Sequence, residues 1–378
     1  MAKLLKGSSF DELAPLLNLS QEKLEERRAR LFPKGNSEHE TSIVSVFLAS
    51  LGAVKEYREE LLAQISSKKI STRNMSIHIY TEIEDIKADT RVDGLIVITS
   101  GKNQIIEWAG IVEAKVGNAE IDKEQIEEYT SFAKRLGIVD IITISNQLVT
   151  TPSHSPISLG RKTSYNLYHW SWTYLKVMAK RLILTGIDDE DHVFILTELR
   201  RFMDDSKSLK SFGDMGENWK DAITKIHALD TNKAVKGPIL DDIISSYTQE
   251  EKDNGLQLTD KSGLLVELCL KGDRRDEMIE SINSNRTISS VYMIDGNKND
   301  TFTVEIDLKS SSIKCCKHYV IDGDSKAQSK TTKLIKLLEN NSGSTEDIYI
   351  RTVYKGNKSI DEIGVPLSVL IIERGYHK

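Results

Sequence analysis

The spacing of apolar positions changes several times along the chain, and each change predicts an element. Residues 21–31 form a short Glu- and Arg-rich stretch that Ser20 can cap as a helix, ended by Pro33 and Gly35. Ile43, Val44, Phe47, Leu48, Leu51, Val54, Leu61 and Leu62 then recur at helical spacing and predict one long helix over 38–65. Ser37 is its expected cap, with Glu40 three residues on as in a capping box. The period then falls to two. Ile77, Ile79 and Thr81 share one face of an expected strand. Residues 94–99 (GLIVIT) and 105–116 (IIEWAGIVEAKV) read as two more, with Gly101, Lys102 and Asn103 turning between them. A helix is expected over 121–136, and the apolar run 140–146 (DIITISN) reads as a buried strand. Helix, three strands, helix and strand describe a small α/β domain with a central mixed sheet flanked by helices.

Past Thr150 the pattern weakens. Residues 165–168 suggest an edge strand, and 171–182, 192–203 and 219–229 read as helices belonging to the first domain. The stretch 230–238 is the expected boundary. Beyond it, 263–270, 288–294, 301–308, 313–321 and 347–354 read as strands, with helices over 271–281 and 329–338 and a tight turn over 296–300. The expected organisation is an α/β domain over 1–235 and a second α+β domain over 240–378. Lys326, Lys330 and Lys333 fall near one face of the second helix, opposite Leu334, Leu337 and Leu338. They form either a solvated face or a set of phosphate contacts.

A length of 378 residues agrees with two domains. Lys plus Arg number 51 against 57 Asp plus Glu, so the net charge of -6 disfavours a protein that coats nucleic acid over its whole surface. A local basic groove remains compatible with it. No apolar run is long enough for a membrane span, and the first residues make a poor signal peptide. Cys269, Cys315 and Cys316 build no disulfide framework, so a reducing, cytoplasmic setting is expected. The adjacent pair Cys315 and Cys316 lacks zinc spacing, as do His154, His169 and His192. His169, among Tyr168, Trp170 and Trp172, reads as a packed aromatic corner rather than a ligand. No Walker-type loop or dinucleotide fingerprint occurs.

The informative constellation is Asp93, Glu113 and Lys115. Period two puts Glu113 and Lys115 on one face of their strand, while Ala114 faces the other way. Two charges on an otherwise apolar strand are costly unless they pair, bind a metal or reach water. If the strands are neighbours, Asp93 approaches Glu113, and a divalent cation relieves the repulsion between the carboxylates. Oxygen ligands of this kind suit Mg²⁺ or Mn²⁺, with the Ala114 carbonyl as a further ligand. Metal-assisted phosphodiester hydrolysis is the chemistry such a set supports, with Lys115 acting on the attacking water or on the charge of the transition state. Gln125 and Tyr129 are spaced i, i+4 on the next helix, able to hold a nucleic-acid backbone or brace the site. Glu40 opens the long first helix and offers another carboxylate, unless it serves only the capping box. The structural alternative for Glu113 and Lys115 is a salt-bridged edge strand.

These residues resemble the PD-(D/E)XK nuclease superfamily. The pattern is Arg91-Val92-Asp93-Gly94, then Glu113-Ala114-Lys115, then Gln125-Ile126-Glu127-Glu128-Tyr129, and its QxxxY element resembles the RecB-like branch. Val92 stands where the family motif carries proline. The resemblance covers about 37–147. It implies a restriction-endonuclease-like core, dependence on Mg²⁺ or Mn²⁺, and cleavage of DNA or, less often, RNA. It also implies metal binding by Asp93 and Glu113, catalytic assistance by Lys115, and a contribution from Glu40. The expected partner is nucleic acid, with DNA first. The alternative is a non-catalytic nucleic-acid-binding or regulatory protein on the same fold. The second domain resembles no known family and is open to a second copy or a protein partner.

Overall fold

The computed structural model describes residues 39–65, 75–85, 90–102, 105–157, 165–209, 213–230, 233–270, 272–319, 327–341, 347–350 and 364–376, together with Ser20 and Glu22. The expected helix over 21–31, its breakers Pro33 and Gly35, the Ser37 cap, Asn103, Lys326 and residues 351–354 lie outside the described residues. The protein is a mixed α/β chain, and it divides into two compact units, 1–317 and 318–378.

The described part of the first unit opens with α1 (Glu40–Ala53) and α2 (Lys55–Ala63). One continuous helix was expected here, but the chain breaks at Val54, whose backbone is extended (φ -94°, ψ 108°) and whose side chain is fully buried. The break lets both Val54 and Tyr57 enter the core. The Arg58 guanidinium donates to the Gly52 carbonyl at 2.6 Å, supplying a partner near the helix end.

Next come β1 (Met75–Asp85), β2 (Thr90–Ser100), β3 (Ile105–Ala114), α3 (Lys123–Leu136), β4 (Asp140–Ser145) and β5 (Asn166–Ser171). They build one five-stranded sheet in the order β1-β2-β3-β4-β5. The first three strands are antiparallel, and β3, β4 and β5 run parallel, so the sheet is mixed. Helix α3 is capped by Asp122, which accepts from the Glu124 N–H, and it stops at Gly137 in the left-handed region. One face of the sheet packs against α1: Ile96, Val112, Ala114, Ile142 and Ile144 share a buried cluster with Ile43, Phe47 and Leu48. The other face carries Ile111 and Ile141, which pack on Ile126, Tyr129, Phe132 and Ala133 of α3. Strict alternation on β3 therefore sends Glu113 to the α3 side and Ala114 to the α1 side.

Helices α4 (Trp172–Thr185) and α5 (Glu190–Asp205) complete the cover over the α1 face. Helix α6 (Gly216–Ala228) behaves differently from expectation. Its buried Ala222 and Ile226 join a second core with Leu240, Ile243 and Tyr247 of α7 (Pro238–Ser262), Met278 and Ile282 of α8 (Arg274–Asn285), and Ile288. The 25-residue α7 also packs on α4 and on β6 (Val266–Leu268). Contacts therefore continue across 230–238, and the chain divides at 317/318 instead of there. Strands β7 (Thr287–Ile294), β8 (Asn297–Asp307) and β9 (Ser312–Lys317) complete a four-stranded sheet in the order β6-β7-β8-β9. The β7–β8 hairpin turns at Asp295 (φ 48°) and Gly296 (φ 70°), a shorter turn than the expected 296–300.

The second unit holds α9 (Ala327–Asn341), the antiparallel pair β10 (Tyr349–Ile350) and β11 (Val365–Pro366), and α10 (Leu367–Tyr376). Among its described residues, Ile335, Ile350 and Leu367 form a buried cluster. Leu334 and Leu338 pack against them, whereas Leu337, placed on the same apolar face by the sequence, is 49% exposed. Among the described residues, no helix is long and apolar enough to cross a membrane.

Candidate active site

The sheet positions the site through its register. Gly94 pairs with Val112, which brings the preceding Asp93 beside Glu113. Beyond that pair the Ala114 N–H donates to Asp93 Oδ2 at 2.8 Å, so a carboxylate takes over where the β2–β3 ladder ends. Across from Asp93 on the other side of β2, Glu82 adopts a positive φ of 53°, and the β1–β2 pairing passes from Thr81↔Gly94 to Ile83↔Val92. Asp93 thus sits where the β1–β2 pairing skips a position and where the β2–β3 ladder ends.

Glu113 has no exposed surface. Lys115 Nζ donates to its Oε1 at 2.5 Å, and the Tyr129 hydroxyl donates to its Oε2 at 2.7 Å. Burial, then the neighbouring Asp93 charge, push the Glu113 carboxyl up to about 7 against the opposing pull of Lys115 and Tyr129. Burial lowers the Lys115 ammonium, but its hydrogen bond to Glu113 and the charges of Glu113, Glu40 and Asp93 outweigh that and hold it above the ordinary lysine range. Lys115 is therefore a cation at neutral pH.

The helix residues act as braces. Gln125 Nε2 donates to the Tyr129 oxygen at 2.8 Å, and the Arg91 carbonyl lies 3.0 Å from that oxygen as a second acceptor. Gln125 thus fixes Tyr129, and Tyr129 fixes Glu113. Glu40 Oε2 accepts the Val116 N–H at 3.2 Å, a contact across 76 positions of sequence. The α1 cap position is His39, without a side-chain cap bond, so Glu40 serves the strand end. Burial raises the Glu40 carboxyl, Lys115 pulls it down, Asp93 raises it and the Val116 N–H lowers it, for a net upward shift.

All six side chains singled out from sequence, Glu40, Asp93, Glu113, Lys115, Gln125 and Tyr129, thus converge on the end of β3 around Ala114. His169 lies on the same sheet face, in register with Thr143 and Glu113. It is buried, with Nδ1 2.8 Å from the Thr143 hydroxyl and Nε2 donating to the Gln147 carbonyl at 2.9 Å. Burial pushes its imidazole down to about 4, which leaves it neutral and hydrogen-bonded. Two residues that sequence reasoning left without a role also touch the strand end. Trp172 Nε1 donates to the Lys115 carbonyl at 2.9 Å. Asn146 Nδ2 donates to the carbonyls of Gly117 and Ser208, both at 2.8 Å. Asn146 follows β4 directly, and a polar residue at the C-terminal end of a parallel strand was the available signal.

Among the described residues, no three His, Cys, Asp or Glu side chains form a metal-binding group. The donor set still fits a hard divalent cation that keeps part of its water, because Mg²⁺ is commonly held by one or two carboxylates. The position of Asp93 beside the buried Glu113 favours such a fit: two carboxyl groups meet where added positive charge would be welcome. No protein-family model matches the chain, and a search of curated proteins also finds no match.

Proposed function

We propose that this chain is a divalent-metal-dependent nuclease, with DNA as the first substrate class, built on a restriction-endonuclease-like core that the β1–β5 sheet, α1 and α3 would constitute. The observation that carries the reading is the Glu113 carboxylate: buried, beside Asp93, and held between Lys115 and Tyr129. A salt bridge kept only for the fold gains little from a second acid that raises the proton affinity of the first. Asp93 and Glu113, with the Ala114 carbonyl, would hold Mg²⁺ or Mn²⁺, and Glu40 would add a carboxylate directly or through water. When bound, the ion would polarise the phosphate and stabilise charge on the attacking and leaving oxygens. Lys115, kept protonated by its acidic neighbours, suits neutralising phosphate charge better than accepting a proton. Tyr129 and Gln125 keep Glu113 in one orientation, so that little reorganisation accompanies the reaction.

The test is a cleavage screen of wild type, Asp93→Ala and Glu113→Ala. Substrates are linear and circular double-stranded DNA, single-stranded DNA and RNA, with Mg²⁺, Mn²⁺ or EDTA. Metal-dependent products from wild type alone support the reading. Equal cleavage by both variants would sink it. A second reading is a non-catalytic nucleic-acid-binding protein on the same fold. It is favoured by the partners that both Glu113 oxygens already have and by the fact that, among the described residues, no three His, Cys, Asp or Glu side chains form a metal-binding group. It expects equal binding in EDTA and Mg²⁺, with no turnover in either.

A further inference from the structure

We propose that Trp172 is a positioning residue for Lys115, acting through the Lys115 main chain; this rests on the nuclease reading above. The parallel strands β3, β4 and β5 end along one edge of the sheet, with Ala114, Ile144 and Trp170 in register. The Lys115 N–H donates to the Ile144 carbonyl at 2.8 Å, which anchors the peptide before Lys115 to β4. The peptide after it is held at both polar ends. Its C=O accepts from Trp172 Nε1 at 2.9 Å, and its N–H, that of Val116, donates to Glu40 Oε2 at 3.2 Å. A peptide is a rigid plane, so fixing both of its ends fixes the torsion on that side of Lys115. With both flanking planes anchored, the direction in which the Lys115 side chain leaves the backbone follows, and from there Nζ reaches Glu113.

Trp172 can serve this purpose because of where the chain puts it. Ser171 ends β5 and caps α4, accepting from the Tyr174 N–H, so Trp172 is the first helical residue at the same sheet edge. The indole is 1% exposed and meets Phe47 of α1 edge-on, with centroids 5.9 Å apart and planes at 88°. Phe47 lies on the helix that begins with Glu40. Phe47 fills the space beside the indole, while the 115–116 peptide itself is held by the Trp172 N–H and the Glu40 carboxylate.

The test compares Trp172→Phe, which removes the N–H but keeps an aromatic ring, with Phe47→Leu, which loosens the packing but keeps the N–H. Two readouts are taken: kcat and KM for cleavage, and amide hydrogen exchange at Val116 by NMR. The expected result for Trp172→Phe is a kcat lowered about 10- to 100-fold with little change in KM, since small misplacements of a reacting group cost that much. Val116 exchange should quicken in the same variant. Phe47→Leu, compared at equal loss of stability, should show neither change. Unchanged kcat and unchanged Val116 exchange in Trp172→Phe would overturn the proposal, as would Phe47→Leu reproducing both effects. If the wild type cleaves nothing, the nuclease reading fails separately, and Val116 exchange alone decides whether Trp172 holds the peptide. Should Trp172→Phe not fold, benzothienylalanine at position 172, which replaces only the N–H with sulfur, takes its place with the same expected outcomes.

Discussion

The Tyr129 hydroxyl donates to Glu113 Oε2 at 2.7 Å, which fastens the helix after β3 to a carboxylate without exposed surface. Removing that donor leaves the buried carboxylate under-solvated. Tyr129→Phe should cost about 1–3 kcal/mol, the usual penalty for an unmet buried partner. It should also raise the Glu113 carboxyl further, because a hydrogen bond to the ionised form is lost. Cleavage by the variant should then be most impaired near neutral pH and recover as pH rises. Activity profiles that are parallel for wild type and variant would show that Tyr129 does not control the charge of Glu113.

The raised Glu113 carboxyl has a stability consequence of fixed sign. A group held near 7 in the folded chain and near 4.5 when unfolded binds its proton more tightly when folded. Its contribution is fully present below 4.5 and is lost as pH rises through about 7. The span corresponds to about 3 kcal/mol at most. Denaturant midpoints of the metal-free protein should fall between pH 5 and pH 8 on this account, and Glu113→Gln should flatten the trend. Added Mg²⁺ should restore stability at pH 8 in wild type and not in Asp93→Asn. Identical pH trends in wild type and Glu113→Gln would show that Glu113 does not titrate in this window.

Much of the first sheet was legible because β2 and β3 are rich in β-formers, and the two-residue period of a strand set Glu113 and Lys115 apart as charges on one face of an apolar run. The break at Val54 was not legible, since its side chain fits the helical pattern and only the shape of the core makes the chain turn there. Helix α7 escaped for a different reason. Its apolar residues, Leu240, Ile243, Ile244 and Tyr247, fill its first turns, and the signal then fades into Glu251, Asp253, Gly255 and Thr259, which are nonetheless buried. Trp172 was visible as an aromatic residue, but its link to Lys115 runs to a main-chain carbonyl and leaves no mark in side-chain spacing. Glu40 had two readings from sequence, and only the fold brings Val116 to it.

Gly94 makes a sensitive probe of the spacing between β2, β3 and α1. A Cβ there would meet Leu48 Cδ1 at 2.7 Å and Val112 Cβ at 3.1 Å. The Leu48 tip can rotate only inside a fully buried cluster, and Val112 sits on the neighbouring strand. Gly94→Ala should therefore cost about 1–3 kcal/mol as overpacking. Because Asp93 precedes it, cleavage should fall by more than the stability loss explains. A variant with wild-type stability would mean that α1 yields easily at this point.

The second core rests on a buried ion pair whose worth can be measured apart from the site. Glu251 on α7 is 1% exposed and accepts from Arg274 Nη2 and Ser290 Oγ on Oε2, at 2.5 Å and 2.7 Å. Tyr247 and Ser290 share a hydrogen bond of 2.8 Å, and the Tyr292 hydroxyl donates to the Glu251 carbonyl at 2.8 Å. Arg274 also donates to the Ser289 carbonyl at 3.0 Å, joining the start of α8 to β7. Removing only the cation strands a carboxylate in this interior, so Arg274→Met should cost about 3–5 kcal/mol. Replacing both members, Glu251→Leu with Arg274→Met, should cost less than Arg274→Met alone, because the desolvation of two charges disappears together with their attraction. Urea midpoints of the two single variants and the double variant supply the cycle. A loss below about 1 kcal/mol for Arg274→Met would place the network among surface pairs in strength. A double variant weaker than both singles would show that Ser290, Tyr247 and Tyr292 need the charges to hold α7 against β7.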